Sequence, residues 1–218
     1  MVKLPSPTAA LAGIPGGLQA QGVWIGRRQL FVRFAAEAET ATMYTADALA
    51  SELKRSTQRT AFHSIAIAGR DPLANVEYLQ STFERAELDL PVMLDCDGQR
   101  PEEVAALRDV VTLAQVTVEG AVGDAFVERA LETIRVAADA GMQQALVVCV
   151  DGRTTDAQVL RLVERAHATS SAAMVVVHPA ADVPVDRDRR WTVLFERLSA
   201  LHGDVRLTLR LPPPTGIR

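Results

Sequence analysis

From Gln29 onward the chain alternates short apolar runs with longer stretches in which apolar residues recur at helical spacing. The first run, Leu30 to Phe34, is rich in β-branched and aromatic residues, which suits a strand of a buried parallel sheet. It passes directly into a polar stretch, Ala35 to Tyr44, that carries Glu37 and Glu39. Six further strands are predicted: Ser64 to Ala68, Val92 to Leu94, one within Val110 to Val118, Ala145 to Val150, Met174 to Val177, and Val205 to Leu209. The intervening segments predict helices. One runs from Ala46 to Gln58 with Thr45 as its cap, one begins near Pro72, and one opens at Pro101-Glu102-Glu103, whose acids complement the helix dipole. Three more span Asp124 to Ala140 with Gly141 as its stop, Thr155 to Thr169, and Arg190 to His202 with Gly203 as its stop.

Strands that alternate with helices in this way predict right-handed βα crossovers, hence an open doubly wound sheet or a full or partial barrel. No Gly-x-Gly-x-x-Gly follows the first strand and no Walker loop occurs, which removes support from the common nucleotide-binding forms of the open sheet. The expected fold class is therefore α/β, a partial (β/α)6 barrel of parallel strands in a single domain over residues 29–210. Residues 1–28, punctuated by Gly13, Pro15, Gly16, Gly17, Gly22 and Gly26, read as a loop leading to a short hairpin near Val23 to Arg28. Residues 211–218 read as a Pro-rich tail, since Pro212-Pro213-Pro214 cannot continue a ladder.

Composition narrows the partners more than the fold. The 218 residues are 48% hydrophobic and 23% charged, enough for a sizeable core. A net charge of -4 and a pI of about 5.6 argue against nucleic acid or an anionic membrane as partner, because both demand clustered Lys and Arg. No apolar run approaches the roughly 20 residues that cross a bilayer, and the N-terminus lacks the order of a signal peptide, so a cytoplasmic location is expected. Cys96 and Cys149 are too few and too far apart for a disulfide framework or a metal-binding spacing.

In either architecture ligands sit at the carboxyl ends of the strands. The residues placed there are Glu37 and Glu39, Arg70 and Asp71, Asp95 with Cys96 and Asp97, Glu119, Asp151 with Arg153, His178, and Arg210. A ring of acids with several Arg and one His predicts a mouth that binds a small polar ligand. Asp95, Asp97, Glu119 and Asp151 could together hold a hard cation such as Mg²⁺, although their spacing carries no metal motif. Glu119, Asp151 and His178 are the candidates for acid–base chemistry. Cys96 sits where a reactive thiol could, Cys149 reads as a buried apolar residue, and His63, His167 and His202 read as surface or packing residues.

With these loops placed, the chain resembles the radical S-adenosylmethionine superfamily, and within it the 7-carboxy-7-deazaguanine synthase family. Phe31-Val32-Arg33-Phe34-Ala35-Ala36 matches that family's first strand, and its three cluster cysteines fall on Glu37, Ala41 and Tyr44. Gly69-Arg70-Asp71-Pro72 matches its Gly-Gly-Glu-Pro with two changes, Cys96-Asp97-Gly98 matches its Thr-Asn-Gly, and a family lysine falls on Glu119. The resemblance implies a partial barrel paired as a homodimer, and a pseudoenzyme rather than a radical enzyme. Glu, Ala and Tyr cannot replace three thiolates, so no iron–sulfur cluster is expected. S-adenosylmethionine is the implied ligand, opposed by Arg70, which would repel its cationic groups. Two functions are expected on this basis. One is binding of a small polar ligand or of a catalytically intact relative at the mouth, without radical chemistry. The other is an enzyme of replaced, acid–base or metal-assisted chemistry on S-adenosylmethionine or a purine-like substrate.

Overall fold

The computed structural model describes residues 6–180 and 189–208, so Arg210 and the tail 211–218 lie outside the described residues. Its strands are β1 (Thr8–Gly13), β2 (Gly16–Leu18), β3 (Arg28–Phe34), β4 (Thr42–Thr45), β5 (Ser64–Gly69), β6 (Val92–Cys96), β7 (Leu113–Glu119), β8 (Gln143–Val150), β9 (Met174–Pro179) and β10 (Val205–Leu207). The helices are α1 (Ala46–Arg59), α2 (Val76–Ala86), α3 (Pro101–Val104), α4 (Asp124–Asp139), α5 (Asp156–Thr169) and α6 (Arg189–Leu201). Short 3₁₀ turns at Pro72–Asn75 and Ala105–Leu107 open α2 and extend α3.

All ten strands form one sheet in the order β10-β9-β8-β7-β6-β5-β3-β1-β4, with β2 pairing to β3. From β3 to β10 every neighbouring pair is parallel, and from β5 onward each neighbour is the next strand in sequence, the outcome of successive right-handed crossovers. On the far side of β3 the pairing turns antiparallel. Both β1 and β2 run against β3, and β4 runs against β1. Pro15 separates β1 from β2, yet its carbonyl accepts from the Phe31 N–H at 2.9 Å, so the ladder along β3 continues across the break.

This arrangement corrects the expected partial (β/α)6 barrel: the sheet is mixed, ten strands wide, and carries seven parallel strands beside three antiparallel ones. The reason lies in three short segments that lack a strong strand pattern. Thr8–Gly13 and Gly16–Leu18 are rich in Gly and Ala, and Thr42–Thr45 lies in what reads as a polar loop. Backbone pairing recruits them regardless, β1 and β2 along the edge of β3 and β4 along β1, because any non-proline backbone can join a ladder. The predicted hairpin near Val23 to Arg28 is instead a turn, closed where Gly26 N–H donates to Gln19 C=O and Gln19 N–H to Arg27 C=O, each at 2.9 Å.

The two faces of the sheet are unlike. One is the main core, where Leu30, Val32, Ile65, Ile67, Leu94, Val116, Leu146, Val148, Val175 and Val177 meet buried residues of the helices, such as Leu49, Leu53, Leu79, Ile134, Val163 and Trp191. The residues between them in sequence face the other way, as strand alternation requires. Ala66, Met93, Leu113 and Ala145 there form a small apolar patch covered by Val23, Trp24, Phe31 and Met174. Trp24 also meets His63 edge to face, with ring centroids 5.1 Å apart. The N-terminal segment thus lies across the face that the helices leave open.

Candidate functional site

Strand alternation puts polar side chains on this second face above the apolar patch. On β6 it carries Asp95, and on β7 it carries Gln115, Thr117 and Glu119. Asp95 and Gln115 are partners in the β6–β7 register. The Thr117 hydroxyl donates to Asp95 Oδ1 at 3.0 Å. The Gln115 side chain reaches the covering segment, its Oε1 accepting from Val23 N–H at 3.1 Å. Gly22, at φ +82, makes that approach: a Cβ there would stand 2.0 Å from Gln115 Oε1. Burial raises the Asp95 carboxyl above the usual carboxylate range, and contacts from Gln115 and Thr117 oppose the shift without cancelling it.

Where these strands end, a cleft of about 370 Å³ opens, lined by Arg70, Asp71, Asp95, Asp97, Thr117 and Glu119 together with Gln21, Cys96 and Phe126. A depression of about 360 Å³ adjoins it, sharing Arg70, Asp71 and Asp97 and running on to Arg100 and Arg129. The wall from β5 is a strained turn. Gly69 adopts φ +99, and a Cβ at that position would lie 2.2 Å from the Phe34 carbonyl oxygen. Asp71 follows in the left-handed region at φ 43, unusual for a residue with a side chain. The turn is held by Arg70 N–H donating to Phe34 C=O at 3.1 Å and by a bidentate pair between Asp71 and Arg100. In that pair Nε meets Oδ1 and Nη2 meets Oδ2, both at 2.7 Å, which ties the β5 loop to the β6 loop.

The residues predicted from strand ends divide into two groups. Arg70, Asp71, Asp95, Asp97 and Glu119 share the cleft. Asp151 does not line it. Its carboxylate accepts from the Thr154 hydroxyl at 2.7 Å and from Arg153, and these two hold its pKa at about 2. Arg153 is exposed and spent on that pair. Glu37 sits on an exposed turn after β3. His178 is 2% exposed on β9, its Nδ1 3.2 Å from Thr208 Oγ1, and the sheet register aligns it with Cys149 and, through Cys149, with Glu119.

Two further expectations concern thiols and metals. Cys96 is buried and its thiol is pushed up to about 12, so it stays protonated and unreactive at neutral pH. Among the described residues no group of three or more His, Cys, Asp and Glu side chains is arranged to hold a metal ion. His202 is buried beside His167, and its Nε2 lies 2.6 Å from the Ala173 carbonyl, a packing role. A larger hollow of about 740 Å³ opens at the opposite end of the sheet between Phe83, Leu90 and Val110, away from all of the predicted residues.

Reading only strand ends misses Gln115, Thr117, Gln21, Phe126 and Arg100. A signal for two of them is present. Gln115, Thr117 and Glu119 alternate with Val116 and Val118, a polar stripe at strand period inside a buried run. Nothing local announces Gln21, which reaches the cleft, or Arg100, which lines the adjoining depression, and both arrive only through tertiary packing.

No family model matches the chain, and no curated protein matches it. Among solved structures it is similar to the apo form of 3-keto-D-glucoside 4-epimerase, YcjR, from E. coli. Identity is 16%, with 76% of this chain and 89% of that chain covered at a TM-score of 0.33, a likeness too slight to assign fold or activity. The resemblance to radical S-adenosylmethionine proteins is corrected: neither a family model nor a curated relative supports it, and the sheet is mixed rather than a partial barrel of parallel strands. The positions that carried it are also misplaced. Ala41 and Glu37 are exposed, while Tyr44 lies within β4, paired to Ala9 of β1, so the presumed cluster loop is in part a strand of the sheet. The likeness to 7-carboxy-7-deazaguanine synthase falls with it. Among the described residues no helix is long and apolar enough to cross a membrane.

Proposed function

We propose that this chain binds a small polar molecule in the cleft at the ends of β5, β6 and β7. Asp95 carries the reading: a half-buried carboxyl group in the cleft wall, held by the Thr117 hydroxyl and raised by burial, is a hydrogen-bonding group partly shielded from water. A bound molecule with donors would meet it with little competition from solvent. The same observation favours acid–base chemistry as a second reading, with Asp95 rather than Asp151 or His178 as the proton-transfer group. A carboxyl raised above the usual carboxylate range holds its proton more firmly than a solvated one and can pass it to a bound molecule.

A thermal-shift screen of small polar compounds, with and without Mg²⁺, tests the binding reading, because a ligand of the folded state raises the melting temperature by mass action. The expected result is a saturable shift that Asp95→Asn reduces. An equal shift in both proteins would remove Asp95 from the site. Should a hit be converted over time, Asp95→Asn is expected to lose conversion; undiminished conversion would end the acid–base reading.

A further inference from the structure

We infer that the cleft is built for a small dipolar molecule, with an ammonium group at one end and a carboxylate at the other; this rests on the ligand-binding reading above. Around the mouth most charged side chains neutralise one another within the protein. Arg100 grips Asp71 through two contacts, Arg129 meets Glu102 at 3.0 Å, Arg153 meets Asp151 at 2.9 Å, and Arg33 meets Glu39 at 3.2 Å. Arg70, Asp97 and Glu119 differ. All three line the cleft, and none forms an ion pair with any described residue. They are of opposite sign and share a space of about 370 Å³, yet they do not pair with each other.

The backbone explains the separation. Arg70 stands between Gly69 at φ +99 and Asp71 at φ 43, and Asp71 is tied down by Arg100. The turn that carries Arg70 is thus set on one wall, beside the depression shared with Arg100 and Arg129. Glu119 ends β7, which β6 separates from β5 in the sheet, so it stands on another wall. An ammonium alone would satisfy the carboxylates and confront Arg70, while a carboxylate alone would do the reverse. A molecule carrying both charges complements both walls at once.

Beneath the cleft, the buried Gln115 keeps its amide near Asp95, where it favours the charged carboxylate, and so belongs to the floor rather than to the lining. The volume suits a molecule of amino-acid size, at the small end of ligand pockets.

Isothermal titration calorimetry on the full chain tests the assignment with ω-amino acids from β-alanine to 6-aminohexanoate. Alkylamines and alkanoates of equal length serve as single-charge controls, and erythritol as a neutral one. At least one ω-amino acid is expected to bind saturably and roughly tenfold or more tighter than both matched controls. Arg70→Ala should erase the advantage over the alkylamine, and Glu119→Gln should reduce the advantage over the alkanoate. Arg70→Glu should turn the preference toward 1,5-diaminopentane. Both positions are exposed, so the variants keep the fold, which circular dichroism verifies. Equal binding of a single-charge control, or an Arg70→Ala affinity like that of the parent, would overturn the inference. Binding of erythritol alone, or a hit from the wider screen that lacks one of the charges, would overturn it too while leaving the ligand-binding reading standing. Failure of every compound in both experiments would overturn the two together.

Discussion

Asp95 shows how one residue's chemistry follows from its place on a pleat. It occupies the strand position where β6 turns its side chain away from the helices and toward the cleft, so desolvation acts on its carboxyl. The folded-state pKa is raised above the unfolded one, which has a definite consequence for stability. Below the unfolded pKa, about 3.9, the group is protonated in both states and burial is harmless. As the pH rises through the raised folded pKa, the folded protein must retain a proton or bury a charge, and that contribution to stability is lost. Asp95→Asn carries no titrating group, so its melting temperature is expected to climb relative to the parent between pH 4 and pH 7. A difference that stays constant over that range would mean that burial does not govern Asp95.

At the scale of single elements, local rules account for most boundaries. The helix α1 begins after Thr45, whose side chain accepts from Ala48 N–H at 3.1 Å, and α5 begins with a full capping box between Thr155 and Gln158. In that box Thr155 N–H donates to Gln158 Oε1 at 2.8 Å, and Gln158 N–H donates to Thr155 Oγ1. Thr155→Ala is expected to cost about 1 kcal/mol in urea denaturation with an unchanged m-value. A loss within experimental error would show that α5 is held by packing of Val159, Val163 and Ala166 alone. Elements without such signals were the ones the pattern could not show. The strand β4 has three exposed or half-buried side chains beside Tyr44 and exists because β1 offers it a partner. The helix predicted at Pro101 shrinks to four residues and a 3₁₀ turn, Ala105–Leu107, because the chain must turn back into β7.

Across the whole molecule the decisive feature is the asymmetry of the sheet. Helices seal one face with a continuous core, and the other relies on the segment 19–27 to cover a patch of four buried residues. Trp24 is the largest side chain of that cover. Trp24→Ala is expected to destabilise the protein by about 2 kcal/mol, less than for a fully buried Trp because it is half-buried. It should also raise the fluorescence of a hydrophobic dye in the native state. A stability unchanged in chemical denaturation would show that the second face needs no cover.

Seven parallel strands, six helical segments and the charged residues at the strand ends were legible from periodicity and capping alone. These are local consequences of side-chain spacing: apolar runs of strand length, amphipathic segments, and Thr45 and Thr155 where a cap belongs. Which way the sheet extended beyond β3 was not legible, because antiparallel pairing by Thr8–Gly13 and Thr42–Thr45 depends on backbone hydrogen bonds that every sequence can make. The motif likeness at Phe31 to Ala36 misled for a related reason: six residues can match a strand without the fold around them. Only tertiary structure decided that Asp95 meets Thr117 and Gln115 and that Arg100 takes Asp71 out of the free charges. Charge pairing is set by distances across loops far apart in sequence, and those distances exist only once the sheet has formed.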